Sequence, residues 1–457
     1  MTKARLDAFI LLLSGSAIFV ALGIGFERVT VVSMVDFKCV YYAGRTLLTH
    51  ADPYNTTDSL RVYDADRANH PSDPAPIRTV VTRYIYLPTA FLLTAPFAAL
   101  PWGPAHLLWM FATASSFILA AFLVWNLAEK DAPRVAALLV CLFLVGSEML
   151  VEIGNPAGIS IALCAIGVWC IVKDRFLLAG MACFAVSLAV KPHDTGPIWL
   201  CLLLAGGAFR KRALQTALLT LALCLPVVLW VSAAAPHWLT ELRWNLAADA
   251  APGGFNDPGP ATLAVRDHAA SVIGLQTALS VFRDSPRFYD LTTDLICAPL
   301  LILWIVATLR SRGSPALLWL ALASISALSM LALYHRQHDT RILLLTVPAC
   351  AMLWAEGGAI RWIALAINGA GALLTGDIPL QLLAIFAGSL HLSLTSLSGK
   401  LLTILLARPA PLVMLAMATF YLWLLVKRSF RPRRSEVPAL QPDASVRPEP
   451  QRQQIHR

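Results

Sequence analysis

The chemistry that this chain could carry depends first on Asp36, a carboxylate that follows the first long apolar segment, residues 8–26. Its position predicts that it lies near a membrane surface, at the entrance of any cavity that the later apolar segments enclose. Aspartate is a favoured N-cap, so Asp36 could simply begin the short helix that follows. The alternative is a general base that accepts a proton from an attacking hydroxyl. The other polar clusters must decide between these two interpretations.

A second candidate is the sequence Lys191-Pro192-His193-Asp194, which ends one apolar segment and begins the next. One interpretation is a lysine that extends its ammonium group to the membrane surface beside a turn. Lysines elsewhere in the chain follow the positive-inside pattern and Lys191 does not, so it requires an anion. A lipid headgroup or the phosphate of a lipid-linked substrate would serve, and His193 lies beside it.

The third cluster is Tyr334-His335-Arg336-Gln337-His338-Asp339-Thr340-Arg341, which also stands between two apolar segments. The guanidinium groups of Arg336 and Arg341 suit bidentate contact with phosphate, and His335 or His338 could donate to a phosphate oxygen. The His-x-x-His spacing together with Asp339 leaves a metal site as an alternative.

The turn Glu152-Ile153-Gly154-Asn155-Pro156 is a fourth polar segment between apolar ones. A Gly-Asn-Pro turn is common and needs no functional explanation. Glu152, however, ends an apolar helix and needs a polar partner. The later loop adds polar and aromatic residues that could hold a sugar or an acceptor: His237, Trp238, Arg243, Trp244, Asn245 and Asp249.

The elements that must position these residues are transmembrane helices. Hydrophobic residues make up 58% of the 457 residues and charged residues only 14%, in apolar blocks separated by short polar loops. This pattern predicts an all-α polytopic membrane protein with about twelve spans. We predict spans over residues 8–26, 105–127, 134–151, 156–172, 176–190, 195–209, 213–233, 292–310, 315–334, 341–356, 360–376 and 410–427, with 377–407 forming two short segments or a hairpin.

Two polar stretches complete the predicted membrane domain, residues 1–427. Residues 36–49 have the pattern of an amphipathic helix that lies in the membrane interface. Residues 87–100 are short for a span and bounded by prolines, which favours a re-entrant or surface-lying hairpin. Residues 428–457 form a basic tail with the composition of a disordered segment.

Charge in the loops sets the predicted orientation. If residues 87–100 do not cross the membrane, the basic loops at 130–134, 173–175, 210–212 and 310–312 all face the cytoplasm, as do both termini. The large loops 27–104 and 234–290 then face the periplasm of a bacterial inner membrane, together with every polar cluster described above. The net charge of +9 serves this orientation, so we expect membrane lipids as partners and no nucleic acid.

A carboxylate beside several cations at the rim of an apolar bundle suits sugar transfer from a polyprenyl phosphate donor. The cations hold the leaving phosphate while the carboxylate takes the acceptor proton. This chemistry requires neither a nucleotide site nor a metal, and we expect no cofactor beyond the lipid-linked sugar. A transporter or flippase of a lipid-linked saccharide is the alternative, although no clear internal repeat supports it.

The order of short motifs resembles the GT-C glycosyltransferases of family eighty-seven, over roughly residues 8–355. The motifs are Val35-Asp36-Phe37, Tyr41-Tyr42-Ala43-Gly44, Asp52-Pro53-Tyr54, Tyr86-Leu87-Pro88, Ala95-Pro96-Phe97, Leu100-Pro101, Gly154-Asn155, Lys191-Pro192, Tyr334-His335-Arg336 and His338-Asp339. That family includes polyprenyl-phosphate-dependent mannosyltransferases and arabinofuranosyltransferases of bacterial envelopes.

The resemblance implies a GT-C fold and an inverting transfer with Asp36 as the catalytic base. It implies that Lys191, His335 and Arg336 lie near the donor phosphate, where Arg341 is a further candidate. The remaining candidates for contacts to the sugar or the acceptor are Tyr41, Glu152, Asn155, His193, His338 and Asp339. The family's Gly-Gln-x-x-Asn motif is Gly154-Asn155-Pro156-Ala157 in this chain, and His338 replaces an aromatic residue, so the hexose, with mannose as one candidate, and the lipid or glycan acceptor stay open.

Overall fold

The apolar blocks of the sequence form long helices. The computed structural model describes residues 2–30, 33–69, 73–260, 272–390 and 394–430, and within them the only β-structure is one isolated bridge between Val272 and Arg336. Seven segments of this described part are long and apolar enough to cross a bilayer. They are α1 (Lys3–Val29), α6 (Trp102–Ala128), α7 and α8 together (Pro133–Val145 and Met149–Glu152), α12 (Gly207–Ala234), α15 (Pro286–Arg310), α16 (Pro315–Ala332) and α21 (Ala410–Ser429). The prediction of an all-α polytopic membrane protein is confirmed.

The other predicted spans correspond to shorter or broken helices. These are α9 (Ala157–Lys173), α10 (Leu177–Val190), α11 (Pro192–Ala205), α17 (Val347–Glu356), α18 (Gly358–Leu374), α19 (Asp377–Ser389) and α20 (Leu397–Ala407). Helices α18 and α19 meet at a bend of 75° and could count together as an eighth span. The total of twelve spans therefore stays a prediction, and the uncertain stretch 377–407 contains two short helices.

Two of the predicted span boundaries are wrong. The span predicted over 195–209 ends earlier, because Gly206 and Gly207 have φ of 80° and 54° and break the chain between α11 and α12. The span predicted over 341–356 begins as a ten-residue 3₁₀ helix, Gln337–Thr346, and becomes α-helical only at Val347. Pro348 has no backbone N–H, so the first turn of α17 accepts it without loss of a hydrogen bond.

The first large loop, predicted to face the periplasm, contains the short helices α2 (Val35–Leu48), α3 (Thr56–Ala65), α4 (Ala75–Thr82) and α5 (Phe91–Ala98). The predicted helix over 36–49 is confirmed, but it is covered by protein on most sides instead of lying on a surface. Its polar residues are buried because they have partners, such as the Lys38 ammonium 2.6 Å from Asp73 Oδ1. Residues 87–100 form a 3₁₀ turn and the single helix α5, so the predicted hairpin is wrong.

Close packing fixes α2 against its neighbours. A Cβ at Gly44 would lie 2.6 Å from the Ala98 Cβ, so only glycine allows α2 to approach α5 this closely. At the other end of α2 the Phe37 ring stacks on Trp109 of α6, with 4.6 Å between ring centroids. Asp36 is therefore carried by a helix that is packed at both ends.

The second large loop, also predicted to face the periplasm, contributes α13 (Trp238–Ala250) and α14 (Leu275–Ser280), separated in part by residues outside the described ranges. Of the predicted basic tail, residues 428 and 429 continue α21. The interpretation of 431–457 as disordered lies outside the described residues.

Candidate functional site

A cavity of about 420 Å³ lies between α2, the segment before α5, the α10–α11 junction, α13 and the segment 333–339. Most of its wall is apolar, with side chains such as Leu87, Leu242 and Leu246. The polar and titratable side chains of its wall are Asp36, Cys39, Thr79, Arg83, Tyr86, Asn155, Lys191, His193, Asp249, Asn256, Tyr334, Arg336, His338 and Asp339. Seven of the predicted site residues therefore share one cavity: Asp36, Asn155, Lys191, His193, Arg336, His338 and Asp339.

Asp36 lies in the first turn of α2 and does not cap it. The N-cap is Met34, in the left-handed region at φ 56°, and no side chain accepts a capping hydrogen bond there. The N–H of Met34 donates to the Glu152 carbonyl, and those of Asp36 and Phe37 donate to the Ile153 carbonyl. Because the neighbouring turn satisfies these N–H groups, the N-cap interpretation of Asp36 is wrong and its carboxylate is available to the cavity.

The turn at 152–155 holds the partner of that carboxylate. Gly154 has φ of 67°, and a Cβ on it would lie 2.7 Å from the Phe37 Cβ, so this turn requires glycine. Its carbonyl accepts a hydrogen bond from Trp109 Nε1 at 2.8 Å. Asn155 follows directly, and its Nδ2 donates to Asp36 Oδ2 at 2.7 Å and approaches the Tyr86 hydroxyl at 3.3 Å.

Electrostatics make Asp36 a stronger base than an ordinary aspartate. Burial raises the pKa of Asp36, while the hydrogen bond from Asn155 and the charges of Arg336 and Lys191 oppose that rise without cancelling it. A carboxylate with a raised pKa that faces a cavity suits the acceptance of a proton.

Lys191 and Asp339 form a buried ion pair on another part of the cavity wall. Lys191 joins α10 to α11, and its Nζ lies 2.6 Å from Asp339 Oδ1. Burial alone would lower the pKa of Lys191, but the charges of Asp339 and Asp194 raise it above its usual range. Burial would likewise raise the pKa of Asp339, yet Lys191 and the nearby histidines hold it well below its usual range. Both members of the pair are therefore charged.

Arg336 completes the cationic wall. Its guanidinium lies over the Phe255 ring, 3.7 Å from the centroid, and donates to the Phe255 carbonyl at 3.1 Å. Its backbone N–H donates to Asp339 Oδ2 at 2.9 Å, so one carboxylate orients both Lys191 and Arg336. The pKa of His338, lowered to about 3 by burial, keeps that imidazole neutral at pH 7.

Four predicted site residues do not line the cavity. His335 is buried behind the wall, with Nε2 3.3 Å from Asp194 Oδ1. Arg341 is fully buried and donates to the carbonyls of Gly146 and Thr375. Tyr41 donates to the Leu100 carbonyl at 2.8 Å, and Glu152 accepts a hydrogen bond from the Thr30 hydroxyl at 2.8 Å.

Three other groups at this site, Arg83, Tyr86 and Asp249, received no assigned role from the sequence. Arg83 and Asp249 form an ion pair across the cavity wall, with Arg83 Nη1 2.7 Å from Asp249 Oδ1. Asp249 stood among the loop residues considered for sugar binding, but Arg83 carried no signal beyond a lone arginine before an aromatic run. Tyr86 stood in a motif and received no role. Of the other loop candidates, Asn245 is structural, since it donates to the Tyr54 and Tyr84 carbonyls at 3.1 Å.

Comparison with known proteins gives one match. The family model described as glycosyltransferase family 87 matches residues 84–333, which is more than half of the chain. The match includes Asn155 and Lys191 and excludes Asp36, Arg336 and Asp339. No curated protein and no solved structure matches the chain.

Proposed function

Because this chain belongs to glycosyltransferase family 87, we propose that it transfers a hexose from a polyprenyl monophosphate carrier to a lipid or glycan acceptor. The protein is a multi-pass membrane glycosyltransferase. To this activity the proposal adds the class of the donor and the residues of the active site. It also places the active site on the periplasmic face of a bacterial inner membrane, with both termini in the cytoplasm. Mannose is our first candidate for the hexose.

The proposed reaction is a single displacement at the anomeric carbon. The acceptor oxygen forms a bond to C1 as the bond between C1 and the phosphate oxygen breaks, so the anomeric configuration inverts. Asp36 accepts the proton of the acceptor hydroxyl, and the phosphate of the carrier leaves with the bonding electron pair. Lys191 and Arg336 stabilise the charge that develops on that phosphate. The reaction needs no cofactor other than the lipid-linked donor.

One observation carries this proposal: the Asp36 carboxylate and the side chains of Lys191 and Arg336 line the same cavity. A base and a cationic phosphate site must lie on different sides of the reacting carbon, and one cavity of this size accommodates a sugar between them. The apolar part of the wall suits the first isoprene units of a carrier.

Transport of a lipid-linked saccharide is the second candidate that the sequence left open. It would use the same cations without covalent chemistry. Membership of a glycosyltransferase family favours transfer.

The test uses purified protein in liposomes that contain a polyprenyl-phosphate-linked labelled hexose and an extracted lipid acceptor fraction. We expect Asp36→Asn to lower transfer by roughly a hundredfold or more, the usual scale of general base catalysis. Asp131→Asn, a matched control in the turn between α6 and α7, is expected to transfer as the wild type does. Full turnover by Asp36→Asn would refute the base, and carrier movement without product would favour transport.

Thermal unfolding separates catalysis from folding in the same variants. Since the folded protein raises the pKa of Asp36, ionisation of this group costs stability as the pH rises through that pKa. Asp36→Asn is therefore expected to unfold at the same or a higher temperature than the wild type at pH 7 while losing transfer.

A further inference from the structure

A second polar cluster lies behind the cavity wall and has no part in the proposed transfer. His193 and Asp194 stand in the first turn of α11, and His335 comes from the segment between α16 and the 3₁₀ helix. One ligand atom from each of the three residues falls within 4.8 Å of the other two. Asp194 and His335 are fully buried, and His193 also lines the cavity.

The close contacts within this cluster are not hydrogen bonds. Asp194 Oδ1 lies 3.3 Å from His335 Nε2 and 3.5 Å from His193 Nε2. Within the described part of the chain, neither oxygen of Asp194 accepts a hydrogen bond and His335 Nε2 makes none. Lys191 Nζ is 3.8 Å from Asp194 Oδ2 and makes its close contact with Asp339 instead. A fully buried carboxylate that accepts no hydrogen bond is costly, so something must satisfy it.

The tautomer of His335 also indicates that Asp194 needs a further partner. Its Nδ1 lies 3.1 Å from the Leu333 carbonyl oxygen, which can only accept, so Nδ1 carries a proton. In a neutral imidazole, Nε2 is then an acceptor that lies 3.3 Å from Asp194 Oδ1. Two acceptors at this separation repel unless a proton or a cation lies between them.

The observed separations suit a cation. Nitrogen and oxygen ligands about 2.0–2.1 Å from a tetrahedral zinc ion lie about 3.3–3.4 Å from one another. Separations of 3.3 and 3.5 Å agree with that spacing, and two histidines with one carboxylate form a familiar ligand set for zinc and related transition metals. The Leu333 carbonyl accepts a hydrogen bond from His335 Nδ1 and so orients the imidazole ring. Histidines that bind a metal usually have such a hydrogen-bond partner at their other ring nitrogen.

We propose that His193, Asp194 and His335 bind a divalent transition-metal ion of the zinc class. The ion joins the first turn of α11 to the segment that carries Arg336, and so fixes the spacing of Lys191 and Arg336. Asp339 already balances the charge of Lys191, which leaves the charge of Asp194 for the ion. This set differs from the His335, His338 and Asp339 set that the sequence suggested, because Asp339 is paired with Lys191.

The role is structural, so the inference stands whether or not the proposed transfer is correct. It departs from the expectation of a protein without a metal, although the transfer step itself still involves none. The competing explanation is that His335 is an imidazolium that forms an ion pair with Asp194.

The test uses the full chain, purified without metal-affinity chromatography, washed with a chelator and then dialysed against Zn²⁺. We expect one zinc per chain by elemental analysis and a higher unfolding temperature than that of the chelated protein. His193→Ala and Asp194→Asn are expected to weaken zinc binding by roughly a hundredfold. His237→Ala, an exposed histidine at the start of α13, is the matched control and should bind zinc as the wild type does.

Co²⁺ gives a readout on the wild type that does not depend on the folding of any variant. Replacement of Zn²⁺ by Co²⁺ should produce the strong visible absorption of a tetrahedral cobalt site. A wild type that retains no zinc and shows no such absorption would overturn the proposal and assign the contact to an ion pair. Zinc that survives both His193→Ala and Asp194→Asn would overturn it as well.

Discussion

Asn155 Nδ2 lies 2.7 Å from Asp36 Oδ2, although 119 positions separate the two residues in the chain. The orientation of the Asn155 amide follows from its other end, because Oδ1 accepts the Ala157 backbone N–H at 2.8 Å. A backbone N–H can only donate, so the amide NH₂ must face Asp36. The start of α9 thereby holds the carboxylate that we propose as the base.

The pH dependence of transfer tests the state of Asp36. Burial raises the pKa of Asp36 above 3.8, and the base must be ionised to act. We therefore expect the rate to fall about tenfold per pH unit as the pH drops through a value above 3.8. Burial raises the pKa values of Cys39 and Tyr86, so both stay neutral in acid, and despite its burial Asp339 stays ionised beside Lys191.

This fall in rate is the acidic limb of the pH–rate profile. Initial rates of transfer in liposomes between mildly acidic and alkaline pH would measure it. Thermal unfolding over the same range is the control, since it shows whether the protein stays folded where the rate falls. A rate that stays constant down to the ordinary carboxyl range, with the protein folded, would contradict a base with a raised pKa.

Asn155→Ala should move the same limb. The hydrogen bond from Asn155 stabilises the ionised carboxylate and so lowers the pKa of Asp36 against the effect of burial. Its loss is expected to shift the acidic limb to higher pH, with a smaller loss of transfer at alkaline pH. Because Oδ1 also accepts a hydrogen bond from the Ala157 N–H, the variant should lose about 1 kcal/mol of stability, the typical net contribution of one hydrogen bond.

Asn155→Asp separates the two roles of Asn155. An aspartate can still accept from the Ala157 N–H, but it brings a second carboxylate to Asp36 and raises the pKa of that group further. We expect it to shift the limb at least as far as Asn155→Ala does, and to lower stability at neutral pH because it adds a second buried carboxylate. If the acidic limb is unchanged in both variants, Asn155 does not influence the pKa of Asp36.

The sequence predicted which polar residues gather at one site, but it could not predict the hydrogen-bond partners of those residues. The helical pattern predicted the ends of α2 to within one residue. The predicted orientation of the polar turns grouped Asp36, Asn155, Lys191 and Arg336. Nothing local showed that the carbonyls of residues 152 and 153 satisfy the first N–H groups of α2, because that contact joins distant segments. The N-cap interpretation of Asp36 stayed open for this reason.

The Lys191–Asp339 pair should show strong energetic coupling. Removing one member leaves an uncompensated buried charge, which typically costs about 3–5 kcal/mol. We expect Lys191→Met and Asp339→Asn each to lower the unfolding free energy by about this amount. The double variant should recover much of that loss, since the amide oxygen introduced by Asp339→Asn can still accept the Arg336 N–H, while transfer stays low because the cation is absent. Denaturant unfolding of all four proteins gives the coupling energy, and strictly additive losses would argue against a charged pair.

Arg341 shows why residue type and membrane side are insufficient to assign a phosphate ligand. Its Nη1 donates to the Gly146 carbonyl at 2.9 Å and to the Ser147 hydroxyl at 3.2 Å, and its Nη2 donates to Thr340 Oγ1 at 2.7 Å and to the Thr375 carbonyl. These contacts join the end of α7 to the end of α18. Arg341 is also absent from the cavity wall, so its donors are used for folding.

Arg341→Met should therefore act on stability more than on donor binding. It removes the hydrogen bonds that a charged group donates to two buried carbonyls, which keep only weaker contacts from the Asp377 N–H and the Thr340 hydroxyl. Each such hydrogen bond contributes about 1.5–3 kcal/mol, so a loss of several kcal/mol is expected. Arg336→Met is the matched comparison, because Arg336 lines the cavity and should instead raise the KM for the lipid-linked donor. Unfolding in detergent and donor titration of both variants separate the effects. If Arg341→Met has normal stability and a strongly raised KM for the donor, Arg341 binds the donor phosphate after all.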